Sequence, residues 1–293
     1  MIKNTLRKSP LVSVIIPVYN DKKYLDETIR SILNQTFKDL ELILINDAST
    51  DKSLAIMKSY QKKDKRIILI NNKKNLMTST SRNKALKIAR GKYIVMQDHD
   101  DISLPKRIEV EYNFLEKNPD AFLVSCANSL IDENGKESIR FKIINLFNIL
   151  FYLTFNNLPK NVSSPLFIKH SSIMFRNTGE LYYRPKLIYA EDYDLYLRLM
   201  SDNKKIFLIP PRLVKYRFSQ DMNSIKHFKV QLLMAMKSRQ FYRQRLSKGK
   251  DSYDDFNHLT FIKKYAEKDY SLYEMLDYKF ELFFYFLFLK LLL

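Results

Sequence analysis

The sequence predicts an α/β protein with a mostly parallel sheet that helices cover on both faces. Short apolar runs rich in β-branched residues alternate with segments of helical periodicity over residues 11–125. Of the 293 residues 46% are hydrophobic, which is enough to bury a sizeable core. The chain has only four glycines, far apart, which excludes a Gly-rich dinucleotide or P-loop motif. It has a single cysteine, Cys126, which excludes an internal disulfide and a multi-cysteine zinc site.

Strands and helices follow one another in order along the N-terminal half. Residues 11–16 are a first buried strand that Pro17 ends, and Asp21 is the expected N-cap of the next helix. Further strands are expected at residues 41–45, 66–70, 93–96 and 121–125, and helices around residues 54–60, 85–89 and 105–118. Gly91 is the residue expected to end the helix around residues 85–89 in a left-handed conformation.

Polar residues cluster where three of these strands end, at residues 17–20, 46–51 and 98–101. In open parallel sheets, ligands bind outside the carboxyl ends of the strands. The sequence therefore predicts a ligand site built from these three segments.

Three acids in four residues follow the strand at residues 93–96. In an extended segment Asp98 and Asp100 share one face and Asp101 points away, and two such carboxylates suit Mg²⁺ or Mn²⁺. The alternative is a turn that caps the following helix. His99 could also ligate, although a histidine that points outward or bonds to the core is more typical here.

Two further acidic positions have both a functional and a structural interpretation. Asp47 can accept a hydrogen bond from a base or ribose, or belong to a helix N-cap cluster. Tyr193, Leu197 and Met200 recur at helical spacing, so Glu191 and Asp192 are expected in the first turn of a helix. The helix macrodipole favours acidic residues in this position, and one of the two could equally act as a general base.

Taken in order, the segments resemble the inverting family 2 glycosyltransferases with the GT-A fold, of the type that builds bacterial surface polysaccharide. The matching segments are VSVIIPVYN (residues 12–20), INDASTD (45–51), SRNKA (81–85), ARGKYI (89–94), QDHDDIS (97–103), HSSIMFR (170–176) and EDYDL (191–195). The resemblance runs from Val12 to about Ser224 and implies a GT-A, Rossmann-like fold, which the basic and apolar residues beyond it follow as a C-terminal helical extension. The expected domains are a GT-A domain at residues 1–222, with a nucleotide-sugar half (about 1–130) and an acceptor half (about 131–222), and a helical C-terminal region at residues 223–293.

The resemblance also implies a role for each matching residue. Pro17, Tyr19 and Asp47 resemble the residues that line the nucleotide base, and Arg82 resembles the basic residue beneath the phosphates. Asp98 would lie near the ribose, and Asp100 would be the better metal ligand, with Asp98 beside it. Asp192 would be the catalytic base with Glu191 as its acidic neighbour, and His170 would lie on the acceptor side. The implied reaction is transfer of a hexose, with inversion, from a nucleotide-diphosphate donor, UDP-sugar being favoured, to a saccharide or lipid-linked acceptor. The implied cofactor is Mn²⁺ or Mg²⁺.

Two positions depart from the family pattern. Met77 stands where relatives commonly have glycine, and Ser219 stands where many have a histidine two residues after the arginine, here Arg217. These departures leave a non-catalytic GT-A scaffold in a glycan assembly complex as the alternative function.

The C-terminal quarter is basic and apolar. The chain carries a net charge of +18, and residues 222–250 contain eight basic and no acidic residues. With the apolar tail at residues 282–293, this stretch predicts a peripheral protein of the cytoplasmic face of the cell membrane that binds anionic lipid. The alternatives are a solvated basic helix and a tail packed on the catalytic domain or on a homodimer partner.

Residues 141–158 are an apolar stretch expected to be core or to cover the acceptor cleft. The charge alone also fits a nucleic-acid binder, but no recognition motif is present, so we expect no nucleic-acid partner.

Overall fold

The computed structural model describes residues 9–137, 168–219 and 222–266. The strands are β1 (Val12–Val18), β2 (Leu40–Asn46), β3 (Ile67–Asn71), β4 (Tyr93–Met96), β5 (Ile102–Ser103), β6 (Ala121–Ile131), β7 (Ile173–Arg176) and β8 (Lys205–Arg217). The helices are α1 (Leu25–Leu33), α2 (Ser53–Lys63), α3 (Met77–Ile88), α4 (Arg107–Lys117), α5 (Glu191–Ser201), α6 (Asn223–Lys226), α7 (Phe228–Lys248) and α8 (His258–Ala266).

The strands of the described residues form one sheet in the order β3-β2-β1-β4-β7-β6-β8-β5. The pairs β3–β2, β2–β1, β1–β4 and β6–β8 are parallel, whereas β7 and β5 run antiparallel to their neighbours. The predicted α/β class with a mostly parallel sheet is confirmed. Because the chain order reverses between β1 and β4, the carboxyl ends of these two strands border a crevice.

Helices cover both faces of the sheet because side chains of successive strand residues point to opposite sides. Val14 and Ile16 of β1 pack on one face with residues of α1, α2 and α4. Ile15 packs on the other face, with Ala85 of α3 and Leu195 of α5. These two buried layers hold the strand ends in fixed positions at the edge of the sheet.

Three local predictions were wrong. β1 does not stop before Pro17 but runs to Val18. Proline is tolerated inside this strand because β4 pairs with β1 only as far as Ile15, so no residue of β4 needs the N–H that Pro17 lacks. Asp21 is not the N-cap of α1, which begins after Tyr24, and its side chain bonds instead to the Tyr24 N–H and to His99.

Gly91 is the third correction, because it does not end a helix in a left-handed conformation. Helix α3 ends at Ile88, and the residue after it, Ala89, is extended. A Cβ at Gly91 would lie 2.4 Å from the backbone nitrogen of Ser13, so glycine is required by the close approach of two backbone segments.

The C-terminal helices pack against α5. A separate apolar cluster joins Leu187, Tyr193 and Leu197 to Met234 and Phe241 of α7, with Tyr253 and Phe256 beyond them. Helix α7 ends at Lys248, and Gly249 after it has the left-handed φ of 72° that favours glycine.

Two predictions lie outside the described residues: the apolar tail at residues 282–293 and the apolar stretch at residues 141–158. Within the described part of the chain, none of the helices has both the length and the apolarity that crossing a bilayer requires.

Candidate active site

A cavity of about 890 Å³ opens at the carboxyl edge of the sheet. The sequence-predicted site residues all line it: Pro17, Tyr19, Asp47, Arg82, Asp98, Asp100, His170, Glu191 and Asp192. Residues of four elements converge there because β1, β2 and β4 end at one edge and the first turn of α5 faces it. The structure thus brings together residues that are 175 positions apart, from Pro17 to Asp192.

Arg82 of α3 joins the two acidic groups of the cavity. Its Nη2 lies 2.9 Å from Asp98 Oδ1, and its Nη1 lies 3.1 Å from Glu191 Oε1. The side chain is 6% exposed. Burial alone would lower the pKa of Arg82, but the negative charge of Asp98, with the nearby Tyr183 and Glu191, raises this pKa overall. Arg82 is therefore a permanent cation at the centre of the site.

Asp47 lies at the end of β2 with one carboxylate oxygen fixed. Its Oδ1 accepts hydrogen bonds from Asn72 Nδ2 and from the Leu76 backbone N–H, both at 2.9 Å. Asp47 is 4% exposed and lines the cavity together with Tyr19, whose ring is half exposed. This arrangement places an oriented carboxylate beside an accessible aromatic ring, a pair of groups that can accept a hydrogen bond from a ligand and stack on it.

The acid turn, residues 98–101, follows β4. Asp98 and Asp100 line the cavity and Asp101 does not, as the sequence predicted. The backbone, however, forms a turn here and not the extended segment that was expected. Asp101 is buried and accepts hydrogen bonds from Ser171 Oγ and from the Arg217 N–H. His99 Nδ1 bonds to Asp21 Oδ2 at 2.9 Å, so this ring nitrogen is already occupied.

The acid turn fits a divalent cation that also binds phosphate. Within the described residues, no three His, Cys, Asp or Glu side chains are grouped to hold a metal ion, so the turn offers two carboxylates. Burial raises the pKa of Asp100; the nearby His99 opposes this shift, and the carboxylates of Asp98 and Asp21 add to it, so Asp100 would gain from a divalent cation beside it. Mg²⁺ and Mn²⁺ are commonly held by one or two carboxylates, with substrate phosphates and water completing the shell.

Glu191 and Asp192 form the first turn of α5, as the periodicity predicted. Asp192 Oδ1 accepts the Tyr193 N–H at 2.7 Å, which fixes the carboxylate at the helix terminus. Burial raises the pKa of Asp192, although Arg82 opposes the shift. Burial also raises the pKa of Glu191 to about 7, with Arg82 opposing and Asp192 adding to the shift. A carboxylate with a raised pKa in this position is suited to accept a proton.

His170 lies on the cavity wall between two tyrosines. Its Nδ1 is 2.7 Å from Tyr196 Oη, and its Nε2 is 3.0 Å from Tyr183 Oη. Burial lowers the pKa of His170 well below its usual value, so the ring is neutral and donates through one nitrogen while accepting through the other. Since the guanidinium of Arg82 lies 5.4 Å from the Tyr183 ring, His170 helps to fix the ring that supports Arg82.

Sequence reasoning missed the far wall of the cavity, which the C-terminal helices supply. The lining includes Tyr189, whose ring stacks on that of His227 with centroids 4.2 Å apart, and Gln231, which donates to the Tyr189 carbonyl. Tyr189 has a φ of 62°, which is uncommon for a bulky residue. No motif marks these positions in the sequence, because an aromatic residue before a helix is most often part of the core.

Comparison with known proteins identifies the family. Residues 13–178 match the profile described as Glycosyl transferase family 2, more than half of the chain. The uncharacterized glycosyltransferase MJ1057 of Methanocaldococcus jannaschii is 40% identical over 235 residues, covering 76% of each chain. The chain therefore belongs to glycosyl transferase family 2 and is a glycosyltransferase by family.

Solved structures of similar fold agree with this assignment. Residues 1–349 of TarS from S. aureus in complex with UDP superpose with a TM-score of 0.59 at 18% identity, covering 91% of this chain and 77% of TarS. The mannosyltransferase PcManGT from Pyrobaculum calidifontis, in complex with GDP-Man and Mn²⁺, has a TM-score of 0.62 at 15% identity, with coverage of 84% and 67%. At these identities the likeness shows the fold, which is that of the GT-A glycosyltransferases.

Proposed function

We propose that this protein is an inverting, metal-dependent hexosyltransferase. It moves a sugar from a nucleotide-diphosphate donor, UDP-sugar being favoured, to a hydroxyl of a saccharide or lipid-linked acceptor. The observation that carries the proposal is the double ion pair of Arg82, which places the acid turn at Asp98 and the first turn of α5 at Glu191 on either side of one cation. The complexes of TarS with UDP and of PcManGT with GDP-Man and Mn²⁺ are consistent with such a donor.

Donor binding would use the residues at the strand ends. Asp47 and Tyr19 would hold the base and ribose, with Pro17 shaping the wall and Asp98 near the ribose. Arg82 would lie beneath the diphosphate, where a buried guanidinium offers paired N–H groups to phosphate oxygens. To do so it would exchange part of its contact with Asp98 or Glu191 for the ligand.

Asp192 would act as the general base. The acceptor oxygen attacks the anomeric carbon as its proton passes to Asp192, and the bond from that carbon to the diphosphate oxygen breaks on the opposite face. Glu191 would keep Arg82 in place during this step. A divalent cation held by Asp100 and Asp98 would neutralise the charge that develops on the departing diphosphate.

The setting we propose is synthesis of a surface glycan at the cytoplasmic face of the cell membrane. The basic stretch at residues 222–250 would attract anionic lipid, and a lipid-linked acceptor would be presented there. We also propose the division into a donor half, an acceptor half and a C-terminal helical region, with the addition that α7 supplies part of the acceptor-side wall.

Replacement of the proposed base tests the mechanism. In an Asp192→Asn variant we expect UDP release from a panel of UDP-sugars, with methyl glycosides as acceptors, to fall by about 10²–10⁴-fold, the usual contribution of a general base. UDP affinity should stay close to wild type. Asp120→Asn is the matched control, because Asp120 pairs with Lys205 at the opposite edge of the sheet. Wild-type release by the Asp192 variant would remove Asp192 from the chemistry.

A further inference from the structure

A buried arginine at the end of β8 supports the acid turn from behind. β5 and β8 pair antiparallel with Ile102 opposite Lys215, so the acid turn that precedes β5 lies beside the end of β8. The Nε of Arg217 donates to the Asp100 carbonyl oxygen at 2.9 Å, and its backbone N–H donates to Asp101 Oδ1 at 2.8 Å. One residue thus binds both the backbone and a side chain of the turn.

The rest of the guanidinium is fixed by other elements. Its Nη1 donates to the carbonyl oxygens of Asp132 and Glu133, both at 3.1 Å, and its Nη2 lies 2.8 Å from Glu27 Oε2 of α1. The ring of Tyr24 covers it, with a centroid 4.2 Å away. With 2% of its side chain exposed, Arg217 has a single well-defined position.

Hydroxyl and amide groups hold the inner side of the same turn. Thr28 Oγ1 lies 2.8 Å from the His99 carbonyl oxygen and 3.0 Å from that of Asp101. Ser171 Oγ donates to the Asp101 carboxylate, and Gln97 Nε2 donates to the Asp101 carbonyl at 2.9 Å. These bonds fix the turn on the side away from the cavity and leave the Asp98 and Asp100 side chains facing it.

We propose that Arg217 is a positioning residue for the metal-binding carboxylates. Through the Asp100 carbonyl and the Asp101 carboxylate, it holds the acid turn so that Asp98 and Asp100 face one divalent cation together. The inference rests on the proposed function. Because the described residues group no third protein ligand with these two, the orientation of a single turn determines how well the cation is held.

The test compares UDP affinity with and without Mn²⁺ by calorimetry, and the quantity measured is the gain in affinity that Mn²⁺ produces. In an Arg217→Lys variant we expect this gain to fall by about tenfold or more, as for other residues that orient metal ligands, while UDP affinity without metal stays within about twofold. Lysine keeps the charge but cannot donate from a planar fork to several carbonyls at once. A loss of fold would instead weaken both affinities together.

Arg176→Lys is the matched control. Arg176 also anchors carbonyl oxygens, those of Ala121 and Leu115 at 2.7 Å, but it does so at the end of the sheet away from the cavity. It should lose comparable stability and keep the full gain from Mn²⁺. If Arg217→Lys does not fold, Thr28→Val removes one hydroxyl from the turn with little change of shape and should reduce the gain several-fold.

The outcomes separate this proposal from the proposed function. If wild-type protein gains affinity from Mn²⁺ and Arg217→Lys gains as much, the positioning role is wrong and the metal-dependent transferase stands. If wild-type protein binds UDP without any gain from Mn²⁺, metal dependence and the positioning role both fail. If Arg176→Lys loses the gain as well, the effect is one of general stability and the proposal is overturned.

Discussion

Met77 shows how a single backbone angle can mark a departure from the family pattern. The residue has a φ of 64°, in the left-handed region that costs a non-glycine residue about 1–2 kcal/mol, and its side chain is 44% exposed at the cavity wall. A left-handed φ favours glycine, which is the residue that the family resemblance implies at this position. The strain is located at the first residue of α3, five residues before Arg82.

Met77→Gly should therefore be neutral or stabilising, by up to about 1 kcal/mol, although glycine in a helix normally costs that much. The measurement is urea unfolding. The control is Lys87→Gly on the exposed side of the same helix, which should destabilise the protein by about 1 kcal/mol. Equal losses in the two variants would mean that the backbone at Met77 is not strained.

At the scale of elements, a buried ion pair ties α4 to the sheet. Arg107 and Glu111 are both fully buried, and Arg107 also donates to Gln97 Oε1 at 2.7 Å and to the carbonyl oxygen of Met96 at 3.0 Å. The second oxygen of Glu111 accepts no hydrogen bond within the described residues. Burial raises the pKa of Glu111, and the charge of Arg107 counteracts it. The helix thus fixes Gln97, the residue before the acid turn.

Arg107→Met should destabilise the protein by about 3–5 kcal/mol, because it leaves the Glu111 carboxylate buried without a partner. Arg30→Met is the control: its ion pair with Asp26 is largely exposed and should contribute less than about 0.5 kcal/mol. Both are measured by urea unfolding. Similar values for the two variants would contradict the structural importance of the buried pair.

The elements also show what the sequence could and could not predict. Short apolar runs rich in β-branched residues located the strands, and polar residues at the strand ends located the cavity, since both signals depend on neighbouring residues. The errors at Pro17 and Gly91 arose because their reasons are distant: the end of β4 for one, the backbone of Ser13 for the other. The contacts of Arg217 and Tyr189 were missed for the same reason, since they join segments far apart in sequence.

For the whole molecule, the excess of positive charge is partly used within the fold. Of the basic residues of α7, Lys237 lies over the rings of Phe241 and Phe256, Arg239 donates to Tyr193 Oη, and Arg245 pairs with Asp202. Arg243, Lys248 and Lys250 are exposed at the end of this stretch. Helix α7 is therefore not the fully solvated basic helix that was one of the alternatives, because several of its charged side chains hold it against α5.

Those exposed residues should carry the attraction to anionic lipid. We expect the protein to sediment with vesicles of phosphatidylglycerol and phosphatidylcholine at low salt and to be released as salt rises, since such attraction is screened within a Debye length. Replacing Arg243, Lys248 and Lys250 with Gln should weaken sedimentation. Replacing Lys22, Lys38 and Lys58 in the same way gives a control of equal charge. A protein that ignores anionic vesicles at low salt would contradict peripheral membrane binding.

We propose that the cavity at the carboxyl edge of the sheet is a metal-assisted nucleotide-sugar site. The decisive experiment is calorimetry of UDP binding with and without Mn²⁺, on wild-type protein and on Asp100→Ala. We predict binding that Mn²⁺ strengthens in the wild type and that loses this dependence in Asp100→Ala. Should UDP fail, GDP and dTDP are measured in the same way. Absence of binding by all three nucleotides would contradict the claim and favour a non-catalytic scaffold on the same fold.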